Sequence, residues 1–207
     1  ANGTLKNFAL YLFCGLVVWN AFSAALDGPL GAFSDTGQLL TKVYFPPELP
    51  ALASVAGVAF QAAIEFGILV AFMLIVGNAT WMMLLAPLVM LCAMGLGLGM
   101  GMAASVWNTR FRDVGYLITL MLQLMFYATP IVYRLDDINA DVGPFTAQQI
   151  LKLNPVTHYV QQMKLLMYEG QMPSVNSVAY GAAWAVGSVV FGWWYFSRTA
   201  PSVIEEL

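Results

Sequence analysis

Few of the 207 residues could do chemistry. The chain has one histidine, His158, and two cysteines, Cys14 and Cys92, both inside apolar runs. The thiols read as small packing residues, and one His with two separated Cys makes no zinc site without carboxylate help. No nucleophile–base constellation stands out. No phosphate-binding loop occurs either: the run Gly37-Gln38-Leu39-Leu40-Thr41-Lys42 lacks the second glycine and the Gly-Lys-Ser/Thr ending. The polypeptide is read as non-catalytic, with no cofactor or metal of its own. Glu65 is the residue most in need of explanation. It is the only ionisable residue well inside an apolar stretch, where a carboxylate costs about 2.5–3.5 kcal/mol on insertion scales. It must face protein or water. Two readings stand: a polar contact at a dimer or channel surface, or a structural carboxylate bonded to Gln61 one turn back or to a neighbouring helix.

The elements that must position such a residue follow from composition. Apolar residues make up 60% of the chain and charged residues 9%, against roughly 45–50% and 25% in globular domains. Mean hydropathy is +0.73. Eight basic and eleven acidic side chains cannot keep a soluble fold of this size wet. Disorder is excluded, because it needs low hydrophobicity and high net charge. A net charge of −3 with no basic cluster gives nucleic acid no footprint. The chain is therefore an all-α integral membrane protein, since barrel strands would alternate apolar and polar residues and these runs do not.

Charge-free intervals set the spans. Between Glu65 and Arg110 no charge appears, which is about 66 Å of helix and too long for one crossing of a core about 30 Å thick. It breaks at the turn signal Gly77-Asn78-Ala79-Thr80. Five spans are expected, at about 7–26, 53–76, 81–106, 114–133 and 177–197, in a single membrane domain. Gly95, Gly97, Gly99 and Gly101 form two small-xxx-small pairs, Gly95/Gly99 and Gly97/Gly101. They read as close helix packing, or as a hinge. The short loop holding Arg110, Arg112 and Asp113 is the clearest cytoplasmic one by the positive-inside rule. That places loop 27–52 and the C-terminus in the cytoplasm, and puts the Gly77–Thr80 turn, the 134–176 stretch and the N-terminus outside. The chain begins with Ala1, and an external N-terminus leads us to expect a preceding segment with at least one more span.

Two connecting stretches carry structure of their own. In loop 27–52, Ser34 or Asp35 can cap a short helix running to about Tyr44, ended by Pro46-Pro47. It is either a docking element or an ordinary connector. The outer stretch holds two short apolar helices on either side of Asn154-Pro155, each too short to cross. A re-entrant or interfacial hairpin is expected, packed on protein or lining a cavity.

Five segments taken in order resemble one family. They are LVVWNAFSAAL, LLTKVYFPPELPALASV, NTRFRDVGY, TPIVY and LNPVTHYVQQMK. Each is weak alone, but in this order and spacing they resemble the membrane subunits of type-two ABC exporters, the lipid-linked polysaccharide export permeases. The likeness runs from about Phe8 to Phe196. It implies a homodimer of six-span permeases on two cytoplasmic ATPase subunits, which would bind the ATP and Mg. It implies a bacterial plasma membrane location and a lipid-linked glycan as cargo. The helix near Ser34–Tyr44 becomes the element docking on the ATPase, with Asp35, Leu39, Lys42, Tyr44 and Phe45 as its contacts. The hairpin becomes an outer gate, with Asn154, Pro155 and Lys164 as its marked residues. Departures from the family pattern are Gln161 for its usual Glu, Lys164 for its usual Arg, and Pro46-Pro47 for Pro-Arg. The first two put an external ion pair seen in relatives in doubt. Aromatic faces stack on sugar rings while tolerating sliding, so Tyr11, Trp19, Phe22, Phe126, Tyr127 and Tyr133 are the channel candidates for a polysaccharide.

Overall fold

The computed structural model describes residues 2–40, 48–78, 80–111, 113–133, 141–142 and 145–205. Helix α1 spans Asn2–Leu40 and α2 spans Glu48–Val76. A 3-10 turn, Trp81–Leu85, leads into α3, Ala86–Arg110. Helix α4 is Asp113–Ala128. A two-residue hairpin, β1 Asp141–Val142 and β2 Phe145–Thr146, pairs antiparallel ahead of α5, Ala147–Leu153. Helix α6, Pro155–Lys164, runs into one π-helical turn, Leu165–Glu169, and α7 is Val175–Glu205.

Among the described residues, four apolar segments are long enough to cross a membrane: Phe8–Gly31, Leu52–Val76, Trp81–Arg110 and Val175–Thr199. Each matches an expected span, and the break between the second and third falls at Gly77, whose φ of 79° is one that a residue with a Cβ rarely adopts. The fourth expected span, 114–133, is shorter than read. Helix α4 has 16 residues, or about 24 Å. It stops because Pro130 has no N–H, clashes with the carbonyl one turn back, and pushes Thr129 out of the helical region.

The expected separate helix from Ser34 to Tyr44 does not start at Ser34. Helix α1 carries on unbroken through Pro29, Ser34 and Asp35 to Leu40. Gly28 is held against Ser54 at the start of the α2 apolar segment, where an added Cβ would lie 2.9 Å from the Ser54 hydroxyl. That packing holds the weak Gly28-Pro29 stretch helical. Lys42, Tyr44 and Phe45 lie outside the described residues.

Helix α3 is the centre of the bundle. It packs against α1 on one side and α7 on the other; α2 lies on α1, and α6 reaches α1, α3 and α7. The two glycine pairs divide between the two neighbours. A Cβ on Gly97 would meet the Phe22 carbonyl and Ala25 of α1, and one on Gly101 would meet Leu26. A Cβ on Gly99 would run into the backbone of Ser188 in α7, Gly192 lies against Gly99, and Gly95 faces Val189 and Ala185. Ser188 closes that contact by donating its hydroxyl to the Leu96 carbonyl at 3.0 Å. Lipid offers no hydrophobic incentive for helices to meet, so approach this close is what joins them. The outward faces are apolar: Phe60, Ile75 and Leu84 are all largely exposed.

Candidate functional site

Each half of the hinged pair α5–α6 starts on a cap. Thr146 accepts from the Gln149 N–H while the Gln149 side chain accepts from the Thr146 N–H. Asn154 Oδ1 accepts from the Val156 N–H at 3.0 Å, and Pro155 takes the first helical position. The Asn154 amide also donates to Thr129 Oγ1 at 3.2 Å, which ties the hinge to the end of α4.

Residues 129–133 are not helical, so their carbonyls need partners. Lys164 supplies them. It is 4% exposed, and its ammonium donates to Pro130 O at 2.6 Å and Ile131 O at 2.9 Å, 3.8 Å from the centre of the Tyr11 ring. Tyr11 donates to the Tyr133 carbonyl at 3.5 Å, and Tyr133 donates to the Tyr127 carbonyl at 3.2 Å. Asn154, Lys164, Tyr11 and Tyr133, assigned in the sequence to two different tasks, thus meet around one irregular segment.

A second set of contacts binds the pair to α7, and sequence reasoning missed it. Tyr159 donates to Gly181 O at 2.7 Å; burial raises its phenol pKa, so the group stays a donor. Gln162 donates to Ser177 O at 2.9 Å. His158 bridges Ser177 Oγ at 2.9 Å and the Lys152 carbonyl at 2.8 Å, and its ring lies 4.6 Å from that of Tyr180. Asn78, read as a turn residue, donates to the carbonyls of Met167 and Tyr168 in the π-helical turn. The available signal was polar residues recurring at helical spacing in α6: His158, Tyr159 and Gln162.

The remaining aromatic candidates form a chain. Trp19 lies 5.7 Å from Phe22 and 5.4 Å from Phe126, and Phe126 lies 5.6 Å from Tyr127. Phe22 is fully buried beneath α3, Trp19 is nearly so, and Tyr127 is 70% exposed. Across the turn between α3 and α4, Asn108 Oδ1 in α3 accepts from the Gly115 N–H in α4 at 2.8 Å. Arg110 sits in the last turn of α3 and Asp113 in the first turn of α4, each complementing its helix end. Arg112 lies outside the described residues, and of Asp35 and Leu39 only the helical backbone is described.

Glu65 has both of the partners its setting allowed. Gln61 donates to Oε1 at 3.1 Å and Asn20 of α1 donates to Oε2 at 3.2 Å. The carboxylate therefore clamps α2 to α1. Glu65→Leu should cost the bundle about 1 kcal/mol, the scale of an interhelical hydrogen bond in a membrane. Glu65→Gln, which can still bond one amide, should cost less than half of that. Thermal unfolding of the purified variants measures the difference, and equal melting would mean the contacts carry no stability.

Comparison with known proteins gives concordant matches. A family model described as "ABC-2 type transporter" matches residues 2–168. The chain is similar to the O-antigen export system permease protein RfbA of Myxococcus xanthus, at 31% identity over 208 aligned positions, covering 98% of this chain and 74% of that protein. It is also similar to two proteins of the same name from Klebsiella pneumoniae, at 25% identity over 169 and 171 positions. Those matches cover 80% and 81% of this chain, and 63% and 64% of the relatives, so the chain spans under two thirds of either Klebsiella protein.

Proposed function

The chain belongs to the ABC-2 type transporter family, and from that premise we propose that it is the membrane-spanning permease subunit of an ATP-driven exporter of a lipid-linked polysaccharide. The observation that carries this reading is the 31% identity to an O-antigen export permease over 98% of the chain. The protein is a multi-pass component of the bacterial inner membrane. It contributes no bond-making chemistry: ATP and its Mg are bound by two separate ATPase subunits beneath a homodimer of the permease. The end of the bundle that carries Arg110 faces the cytoplasm, and the α5–α6 pair is the gate at the outer mouth. Of the aromatic chain from Trp19 to Tyr127, the exposed Tyr127 ring with the half-buried Phe126 beside it supports a saccharide cargo, while Phe22 and Trp19 are buried and back them from within.

The test is replacement of the O-antigen permease in a bacterial strain that retains the rest of the export system. Surface polysaccharide should return with this permease and its own ATPase. Lipid-linked glycan that stays in the cytoplasmic leaflet would refute the reading, and extrusion of a drug or small lipid in its place would point to another cargo class.

Docking on the ATPase is assigned to the segment that follows α1. Replacing Tyr44 and Phe45 together with Asp should bury unpaired charge at that interface. Co-purification of the ATPase should fall at least about tenfold, the equivalent of about 1.4 kcal/mol. Wild-type recovery with coupled ATP hydrolysis would make the segment a plain connector.

A further inference from the structure

Asn20 lies near the middle of the apolar segment Phe8–Gly31, and Gln61 and Glu65 near the middle of Leu52–Val76. Asn20 and Gln61 are exposed on the surface of the chain, and Glu65 is half-buried between them. Each amide spends one hydrogen on the carboxylate. Each keeps a second hydrogen, and among the described residues neither amide oxygen accepts a bond. A carboxylate flanked by two half-satisfied amides thus stands at mid-membrane depth on an uncovered face. Hydrocarbon cannot satisfy it.

We propose that Asn20, Gln61 and Glu65 form a hydrogen-bonding station for the hydroxyl groups of the passing glycan; this rests on the reading of the chain as a polysaccharide permease. A sugar hydroxyl both donates and accepts. It therefore complements the amide N–H groups, the amide oxygens and the carboxylate at once, and vicinal hydroxyls engage neighbouring groups of the cluster. The residue next to Asn20, Trp19, meets Phe126 edge-on, and Phe126 leads to the exposed ring of Tyr127. Polar hydrogen-bonding groups and the exposed Tyr127 ring are thus linked through Trp19 and Phe126, matching the two kinds of surface that a pyranose presents. A second copy of the chain set on a two-fold axis at this cluster would bring Glu65 up to its own copy, like charge against like.

The station is tested in the assembled permease–ATPase complex in proteoliposomes, with purified lipid-linked O-antigen as the probe. Asn20→Leu and Gln61→Leu should each slow glycan export about three- to tenfold, the effect of one lost hydrogen bond. Basal ATP hydrolysis should stay near wild type in both; melting should hold for Gln61→Leu, whose bond lies within α2, and should fall for Asn20→Leu no further than for Glu65→Leu. In the Gln61→Cys variant, a polar thiol reagent should label the complex above the level of the native cysteines, and the glycan should slow that labelling during ATP turnover. Several results overturn the proposal: labelling that the glycan does not slow, no labelling at all, or oxidative cross-linking of two Gln61→Cys copies, which would make this face the dimer contact. A wild-type complex that exports no glycan would reject the functional reading itself. A wild-type complex that exports, together with unimpaired Leu variants, would reject only the station.

Discussion

Lys164→Met should be among the most damaging single substitutions in the chain. The methionine fills much of the same space but offers no hydrogen. The carbonyls of Pro130 and Ile131 then lose their donor in a buried setting, at roughly 1–3 kcal/mol for each. The cation–ring contact with Tyr11 goes as well. The 129–133 segment and the α5–α6 pair should loosen together, because Lys164 and Asn154 tie one to the other. Lys164→Arg keeps the charge and should retain most of the stability. Melting of the purified protein and proteolysis near residues 129–133 give the readout. A methionine variant as stable as wild type would show that water or lipid can serve those carbonyls.

The second large effect is steric. Gly99→Ala places a carbon against the Ser188 backbone, with no flexible side chain there to give way. Overpacking a tight contact costs roughly 1–3 kcal/mol and sometimes more, and here α3 and α7 must separate to admit the methyl group. Gly57→Ala is the matched control: nothing in the chain lies within 4 Å of its Cβ position, and in a helix the change should stabilise by up to about 1 kcal/mol. The yield of folded protein should drop for Gly99→Ala and hold for Gly57→Ala. Equal yields would mean that the α3–α7 crossing is looser than described.

What could be read in the sequence was local or periodic. Four spans and the turn at Gly77 followed from hydropathy and a turn signal. Gln61 as partner to Glu65 followed from i, i+4 spacing. Asn20 did not, because it lies 45 residues away and only the packing of α1 on α2 brings it near. Lys164 shows the same limit: its position was marked, yet its carbonyl partners stand 34 and 33 residues earlier. The expected span ran to residue 133, and Pro130 within it is the residue that ends α4 at Ala128. The continuity of α1 past Ser34 was not legible, since Ser and Asp signal a helix start equally well where the chain simply continues. The glycine spacing showed two packing faces, while the identity of the neighbour on each face depended on the tertiary arrangement.

The glycine contacts of α3 have a mechanical consequence. Backbone meets backbone on both of its sides, at Phe22 and Leu26 of α1 and at Ser188 and Gly192 of α7. At those points backbone and small side chains, rather than long ones that could change rotamer, fill the contact, so sliding or rolling of one helix on the next is opposed. A displacement delivered to the 39-residue α1 would therefore be shared with α3, and through α3 with α7. The elements outside that contact are joined to it chiefly through side chains: α2 through the Glu65 bonds with Asn20, and α4 with the hinged pair through Lys164 and Asn154.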